Sequence, residues 1–341
     1  MRDAKGTVIV TGGAGFIGSH TVVELSRAGY RPVIVDNFSN SERFIAERIE
    51  RILEGPVKLH EVDCNDGAAF GAVLSSEANV CGVIHFAAFK SVNESLREPF
   101  KYYQNNIGSL ATVLAAIREA KIAHFVFSSS CTVYGEPDSL PVTEDFPQKP
   151  AESPYGRTKQ IGEALIEDAV RSGMSLKVAT LRYFNPIGAH PSGLIGELPE
   201  GVPDNLVPYI TQTAAGIREK LTVYGDDYDT VDGSCVRDYI HVVDLARAHV
   251  KALDYLLAAP EGTFNEPFNL GTGRGVSVLQ AIAAFEAANG TKLNFVIGPR
   301  REGDVVEIYA NADKAERELK WTAELDTETA MRDAWNWQKT L

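Results

Sequence analysis

The sequence predicts an α/β protein in which a doubly wound parallel sheet is followed by a smaller mixed α/β lobe. Three observations lead to this fold class: short β-branched runs alternate with helical patterns in the first half, that rhythm breaks after Pro186, and shorter mixed patterns follow. The predicted strands lie at 7–10, 32–35, 57–59, 83–86, 125–127 and 178–181. The alternation is typical of βαβ units and therefore of parallel strands.

The helical patterns between these strands cover 17–28, 99–120 and 154–172. A stretch rich in proline and glycine at 188–205 then separates them from a short strand at 221–224, a helix at 278–288 behind Ser277 and a final amphipathic helix with Trp335 and Trp337. We expect one domain at 1–187 and a second at 188–341, with part of about 236–272 returning to the first.

The charge balance disfavours two classes of partner. The chain of 341 residues has 33 basic and 46 acidic side chains, a net charge of -13, which repels nucleic acid and anionic membranes at long range. No apolar run is long enough to span a bilayer, and no apolar export segment precedes Thr7. We expect a cytoplasmic protein in which any phosphate site gathers local cations or helix N-termini.

Cysteine and histidine give no sign of a metal site. Cys64, Cys81, Cys131 and Cys235 are widely spaced and form no CxxC pair, so they predict reduced thiols rather than a zinc site or a disulfide framework. The seven histidines are also dispersed. We therefore predict no metal.

A glycine-rich turn after the first predicted strand indicates a Rossmann-like dinucleotide site. Gly12, Gly15 and Gly18 lie between that strand and a helix, where glycines let the backbone approach a pyrophosphate. Asp36 ends the second strand and can accept hydrogen bonds from both ribose hydroxyls, whereas a 2′-phosphate would meet a like charge. The sequence therefore predicts NAD rather than NADP. Asp63, after the third strand, either reaches the adenine or is an exposed strand-end carboxylate.

A second motif supplies a candidate general base. Ser153 and Pro154 are typical of a helix start, so Tyr155 and Lys159, four residues apart, share one helix face. An ammonium about 4 Å away, at an effective dielectric of about 20, supplies roughly the 4 kcal/mol needed to ionise a tyrosine near neutrality. A nicotinamide cation would add to this effect, so we predict that Tyr155 removes a proton from a sugar hydroxyl.

Ser130 follows the strand at 125–127, at the end of a parallel sheet where ligands collect. Its hydroxyl could hydrogen-bond the reacting oxygen, although a serine after a strand also forms an ordinary capped turn.

Taken together, these motifs resemble the extended short-chain dehydrogenase/reductase family, and within it the UDP-glucose (UDP-galactose) 4-epimerases. The resemblance covers nearly the full length. Beyond the glycine turn and the Tyr-x-x-x-Lys pair, it depends on the segments at 182–193, 233–242 and 299–304.

The resemblance implies roles for individual residues. Ser130, Tyr155 and Lys159 would form the catalytic triad, and a homodimer would form through helices near 100–119 and 154–171. Contacts to NAD are implied for Gly12, Gly15, Phe16, Ile17, Asp36, Asn37, Asn40, Ser41, Asp63, Cys64, Phe86, Ala87, Lys90, Asn105, Tyr155, Lys159 and Tyr183. Contacts to a UDP-hexose are implied for Ser130, Thr132, Asn185, Asn205, Leu206, Tyr224, Arg237, Arg301, Asp304 and Ile308.

One position departs from the family pattern. Ile308 stands where the family has tyrosine in enzymes restricted to glucose and galactose, and a smaller residue in those that also accept N-acetylated sugars. Isoleucine is intermediate, and it also fits a plain core position in a strand.

Two other functions remain open at this point. A nucleotide-sugar 4,6-dehydratase shares the fold and cofactor but has Asp-Glu where this chain has Cys131 and Thr132. A non-catalytic NAD-binding protein is the other alternative, although such proteins commonly lose the tyrosine or lysine.

Overall fold

The structure is a computed structural model that describes residues 4–301 and 305–341. Its strands are β1 (Thr7–Thr11), β2 (Arg31–Asp36), β3 (Lys58–Glu61), β4 (Val80–His85), β5 (His124–Ser128), β6 (Lys177–Tyr183), β7 (Asn185–Ile187), β8 (Leu221–Tyr224), β9 (Val236–Arg237), β10 (Tyr239–His241), β11 (Phe264–Leu270), β12 (Val276–Ser277), β13 (Phe295–Gly298) and β14 (Glu307–Ile308). Its α-helices are α1 (Phe16–Arg27), α2 (Phe44–Leu53), α3 (Gly67–Ser76), α4 (Val92–Arg97), α5 (Pro99–Tyr102), α6 (Gly108–Glu119), α7 (Pro154–Arg171), α8 (Leu206–Ala214), α9 (Val242–Ala258), α10 (Val278–Asn289) and α11 (Thr327–Gln338).

A seven-stranded sheet organises the chain. Its strand order is β11-β6-β5-β4-β1-β2-β3, and every pairing in it is parallel. Strands β2 and β3 lie on one side of β1, and β4, β5 and β6 lie on the other, so the strand order reverses at β1. Ligands of doubly wound sheets bind at such a reversal. The predicted Rossmann-like fold class is confirmed.

Alternating side chains of the strands fill a core on each face of this sheet. Val8 and Val10 pack with helices α1, α2 and α9, whereas Ile9, between them in β1, packs with α3, α6 and α7. This is the period of two that a strand buried on both faces requires.

The smaller elements form three short sheets, β10-β7, β12-β9-β14 and β13-β8. Helices α8, α10 and α11 pack around a separate core that includes Ile210, Phe285 and Met331. Strand β11 lies late in the chain but belongs to the seven-stranded sheet.

The helix predictions differ from the structure at one place. Helix α7 begins as expected, since the Ser153 hydroxyl accepts a hydrogen bond from the Gly156 amide at 3.1 Å and Pro154 is the first helical residue. The helical segment predicted at 99–120 instead consists of α5, a π-helical turn (Tyr103–Ile107) and α6. None of the helices in the described ranges is both long and apolar enough to cross a membrane.

Candidate active site

The turn between β1 and α1 is shaped by close backbone approaches. Gly12 has a φ of +68°, and a Cβ there would lie 2.8 Å from the amide nitrogen of Ala87. A Cβ on Gly18 would lie 2.2 Å from the carbonyl oxygen of Gly12. Gly15 caps α1 without a side-chain hydrogen bond. The turn thus brings a helix N-terminus against the pocket, which suits a pyrophosphate.

Asp36 closes this turn from the end of β2. Its carboxylate accepts hydrogen bonds from the Ala14 amide, the Phe38 amide and the Ser41 hydroxyl, each at 2.9 Å. The side chain is buried but still lines the pocket. A carboxylate fixed in this way presents acceptor oxygens where a ribose would lie beside the turn.

A single pocket collects most of the residues that the sequence pointed to. It runs from the glycine turn to the ends of β5 and β6, and it is lined by all seventeen residues for which NAD contacts are implied. The same pocket is lined by Ser130, Thr132, Asn185 and Asn205 from the predicted substrate set.

The three predicted catalytic residues lie together in this pocket. Lys159 donates a hydrogen bond from Nζ to the carbonyl oxygen of Ser128 at 2.6 Å, and the same nitrogen lies 5.8 Å from the centre of the Tyr155 ring. The Ser130 side chain lies near enough to the Tyr155 hydroxyl to lower the pKa of Tyr155. All three side chains are buried. The helix spacing of four residues does bring the tyrosine and lysine to one site.

Burial dominates the ionisation of this pair. It raises the pKa of Tyr155 well above the usual value; the neighbouring Tyr183 acts in the same direction, and the nearby Ser130 side chain acts against it. Burial also lowers the pKa of Lys159 to about 8, while the charge of Glu163 acts to raise it. The ammonium alone therefore does not offset the desolvation of the phenol. A further positive charge near the ring is needed for ionisation near neutrality.

An unsatisfied hydroxyl lies in the part of the pocket that contains Ser130. Thr132 Oγ1 is buried and has no hydrogen-bond partner within the protein, although its residue lines the pocket. Buried polar groups are rarely left in this state without a ligand or water. This side of the pocket therefore fits a polar ligand such as a sugar.

The remaining predicted substrate residues that the structure describes lie outside the pocket lining. Arg237 pairs with Ile308 across β9 and β14. Ile308 is buried in a cluster with Cys131 and Phe184, which do line the pocket. Ile308 is thus both a core residue and one layer behind the pocket wall.

Two of these residues, Tyr224 and Arg301, lie at the surface of the smaller lobe, and Leu206 lies at the start of a helix. The Arg301 guanidinium lies 5.6 Å from the centre of the Tyr224 ring, and Tyr224 is exposed. Leu206 begins α8 directly after Asn205. Asp304 lies outside the described residues.

Sequence reasoning missed two groups of this site. Ser128 lies within the serine run, but nothing in the pattern shows that its carbonyl holds Lys159 or that its hydroxyl contacts the Tyr183 hydroxyl. Glu197 lines the pocket and accepts hydrogen bonds from Lys90 and Asn205. Lys90 belongs to the residues for which NAD contacts are implied, and Asn205 to those for which UDP-hexose contacts are implied. A lone glutamate in a loop carries no sequence signal for this position.

The chain is similar to a known family model and to known proteins over nearly its whole length. Residues 9–334 match the family model described as GDP-mannose 4,6 dehydratase. The UDP-glucose 4-epimerase of Dictyostelium discoideum is 48% identical over 338 residues, which cover 99% of this chain and 97% of that protein.

Solved structures agree with this relative. The UDP-glucose 4-epimerase of Stenotrophomonas maltophila, with bound NAD and formylated UDP-arabinopyranose, has a TM-score of 0.95 and 47% identity and covers 98% of both chains. The enzyme of Bifidobacterium longum, in complex with NAD+ and UDP, has a TM-score of 0.93 and 46% identity, again over 98% of both chains. The chain belongs to the UDP-glucose 4-epimerase family of extended short-chain dehydrogenases, which confirms the resemblance predicted from its motifs.

Proposed function

We propose that this chain interconverts UDP-glucose and UDP-galactose by inverting C4 of the hexose through a transient 4-keto sugar. The observation that carries the proposal is the shared pocket. It joins the glycine turn and Asp36 to Ser130, Tyr155 and Lys159. A nucleotide cofactor and a polar reacting group can therefore meet there.

The residues present fit NAD as the cofactor. The glycine turn leaves no room for a Cβ, Asp36 presents fixed carboxylate oxygens, and the solved relatives named above contain NAD. When bound, NAD supplies the oxidation of C4 and its later reduction.

Tyr155 acts as the general base and acid. As a phenolate it takes the proton of the 4-hydroxyl, and it returns the proton to the 4-oxygen when the ketone is reduced. Lys159 supplies one positive charge that favours the phenolate, and Ser130 donates a hydrogen bond to the reacting oxygen. The buried pocket keeps water away from the keto sugar.

Binding energy resides mainly in the UDP portion of the substrate. Arg237 and Arg301 contact the diphosphate, Tyr224 stacks near the nucleotide, and Asn185, Asn205, Leu206 and Asp304 complete the site. Thr132 contacts the hexose, which the unsatisfied Oγ1 supports. The hexose itself must be held loosely, since it turns over so that its opposite face is reduced. UDP alone is therefore expected to bind well in isothermal titration, and much weaker binding than that of free hexose would contradict the scheme.

N-acetylated UDP-hexoses are a further candidate class of substrate. Ile308 is smaller than tyrosine and lies one layer behind Cys131 at the pocket wall. An acetamido group then needs only a modest displacement of this layer.

Three other expectations belong to the proposal. Residues 1–187 bind NAD and 188–341 bind the UDP-sugar, with β11 returning to the first unit. The exposed apolar side chains of Leu96 and Phe100, near the helices at 100–119 and 154–171, support a homodimer. The four cysteines are free thiols, which suits the cytoplasm.

The decisive experiment is to incubate the purified protein separately with UDP-galactose and UDP-N-acetylgalactosamine and to follow both by NMR. We expect the C4 epimer of UDP-galactose to appear until equilibrium is reached. Recovery of unchanged UDP-galactose from NAD-loaded protein would refute the function. The second substrate decides the N-acetyl question independently.

A further inference from the structure

A buried ion pair lies directly behind the catalytic residues. Glu163 follows Lys159 by one turn of α7, and its carboxylate faces the guanidinium of Arg182 on β6, with Oε2 accepting from Nη2 at 2.7 Å and Oε1 from Nε at 3.0 Å. The side chains are 8% and 9% exposed. This two-point contact fixes the orientation of the carboxylate.

The same carboxylate also reaches the strand end that carries Ser130. Glu163 Oε1 accepts a hydrogen bond from the Ser129 hydroxyl at 2.5 Å, and Oε2 accepts one from Gln148 at 2.6 Å. Its acceptor capacity is thereby filled. Such a set of donors, all within the protein, keeps the carboxylate in one place.

Ser129 connects this pair to the pocket. Ser128 and Ser130 line the pocket, whereas Ser129 between them is fully buried and bonds to Glu163 on the opposite side. The strand end is extended here, with φ of -156° and ψ of 151° at Ser130, so neighbouring side chains alternate. The Ser129 bond therefore sets the position of both the Ser130 hydroxyl and the Ser128 carbonyl that holds Lys159.

The charge of Glu163 acts on Lys159 as well. The Lys159 ammonium has the Phe127 ring at 5.3 Å, the Tyr155 ring at 5.8 Å and the buried His85 nearby on β4. Tyr183 of β6 reaches this region through its contact with Ser128. Of these neighbours, none is a carboxylate, and Glu163 is the acid that raises the pKa of Lys159 against the effect of burial.

Arg182 keeps this arrangement electrically balanced. It also donates hydrogen bonds from Nη1 to the Tyr134 hydroxyl and to the carbonyl oxygen of Glu144, both at 3.0 Å. The Glu144 carboxylate is turned to the Asn269 amide on β11, and burial raises the pKa of Glu144. Glu163 thus has its own counter-ion within the core.

We propose that Glu163 is a positioning residue of the reaction: through Ser129 it holds Ser130 in place, and through its charge it keeps Lys159 as an ammonium. This inference rests on the proposed roles of Tyr155 and Lys159. A purely structural ion pair would affect stability alone, whereas a positioning residue also affects how the rate depends on pH.

The test compares Glu163→Gln, Glu163→Asp and Ser129→Ala in the NAD-loaded protein. For each variant, kcat and KM for UDP-galactose are measured from about pH 6 to about pH 10, a range that reaches the usual pKa values of lysine and tyrosine. Glu163→Gln should lower kcat about tenfold and move the alkaline fall of kcat about one pH unit lower, with little change in KM. Glu163→Asp keeps the charge and should restore the position of that fall. Ser129→Ala should lower kcat several-fold and leave the pH of the alkaline fall unchanged.

Asp244→Asn is the matched control. Asp244 is also a buried carboxylate, and it accepts hydrogen bonds from the amides of Glu324 and Leu325 at 2.8 and 2.7 Å, but it does not line the pocket. It should lower stability and leave the pH profile of kcat unchanged.

The inference is overturned if Glu163→Gln is folded, retains NAD and has the unaltered pH profile. If Glu163→Gln does not fold, a Ser129→Ala variant with kcat within about twofold of the unchanged protein overturns it instead. The proposed function is tested separately by Tyr155→Phe. An inactive Tyr155→Phe together with an unaltered Glu163→Gln profile would refute only the role of Glu163.

Discussion

Replacing Tyr155 with phenylalanine removes one hydroxyl from the catalytic pocket and keeps the buried ring. Loss of the proposed general base should lower kcat by about 10³-fold, which corresponds to roughly 4 kcal/mol of transition-state stabilisation. The effect on folding should be small, because the buried ring stays in place and the hydroxyl loses at most its interaction with Ser130, and a single hydrogen bond contributes only about 1 kcal/mol. Activity and stability should therefore separate clearly.

The assay is the rate of UDP-galactose conversion, with bound NAD measured after denaturation and the midpoint of thermal unfolding measured in parallel. Tyr30→Phe is the matched control, since Tyr30 is equally buried and its hydroxyl donates to Asp254 at 2.6 Å, away from the pocket. The control should keep its activity. A folded, NAD-loaded Tyr155→Phe protein with kcat within about tenfold of the unchanged enzyme would remove Tyr155 from the base role.

Three further perturbations test the cofactor turn, the diphosphate contact and the buried histidines. Gly18→Ala places a Cβ 2.2 Å from a carbonyl oxygen of the turn, so the purified protein should show no bound NAD in its absorbance spectrum. Gly71→Ala is the control, because its Cβ meets nothing within 4 Å and NAD should be retained. Normal NAD content in Gly18→Ala would contradict the assignment of the cofactor turn. Arg237→Ala should weaken UDP binding about 10- to 100-fold in isothermal titration, since a charge-assisted contact is lost, and an unchanged affinity would exclude Arg237 from the diphosphate site. Burial lowers the pKa of His20 and of His85 from 6.5 to about 3. The unfolded chain therefore binds more protons between these values, and stability should fall by about 1 kcal/mol per pH unit and histidine as the pH drops from 6.5 toward 3. Equal urea midpoints at about pH 7.5 and pH 5 would refute this expectation.

The sequence predicted six strands of the central sheet because most of those strands are rich in β-branched and aromatic residues and because they alternate with helical patterns. Strand β11 was not predicted, since it contains Pro267, two asparagines and a glutamate. It tolerates these residues because it lies at the edge of the sheet and pairs only with β6. Its place depends on tertiary packing, which a local pattern does not encode.

The candidate site also combines residues that a local sequence pattern predicts with residues whose place depends on the fold. The tyrosine and lysine were predictable because both lie on one regular helix, where spacing fixes direction. Asn105 was implied only by resemblance, since it lies in a π-helical turn that shifts the helical register and no local signal predicts such a turn. The Ser129 contact with Glu163 joins residues 34 positions apart and depends on how α7 packs against β5. Contacts of this kind are visible only once the fold is known.

The matching family model is described as a dehydratase, yet the pocket argues against elimination of water. Elimination needs an acid and a base beside the hexose, and the strand end after Ser130 offers Cys131 and Thr132, of which burial raises the thiol pKa to about 12. In the described part of the chain, the carboxylates that line the pocket are Asp36, Glu42, Asp63 and Glu197. Asp36 and Asp63 accept hydrogen bonds near the glycine turn, and Glu197 is held by Lys90 and Asn205. Among the described residues, the strand end at Ser130 thus offers no carboxylate for elimination, and in the proposed mechanism the keto sugar is reduced on one face or the other.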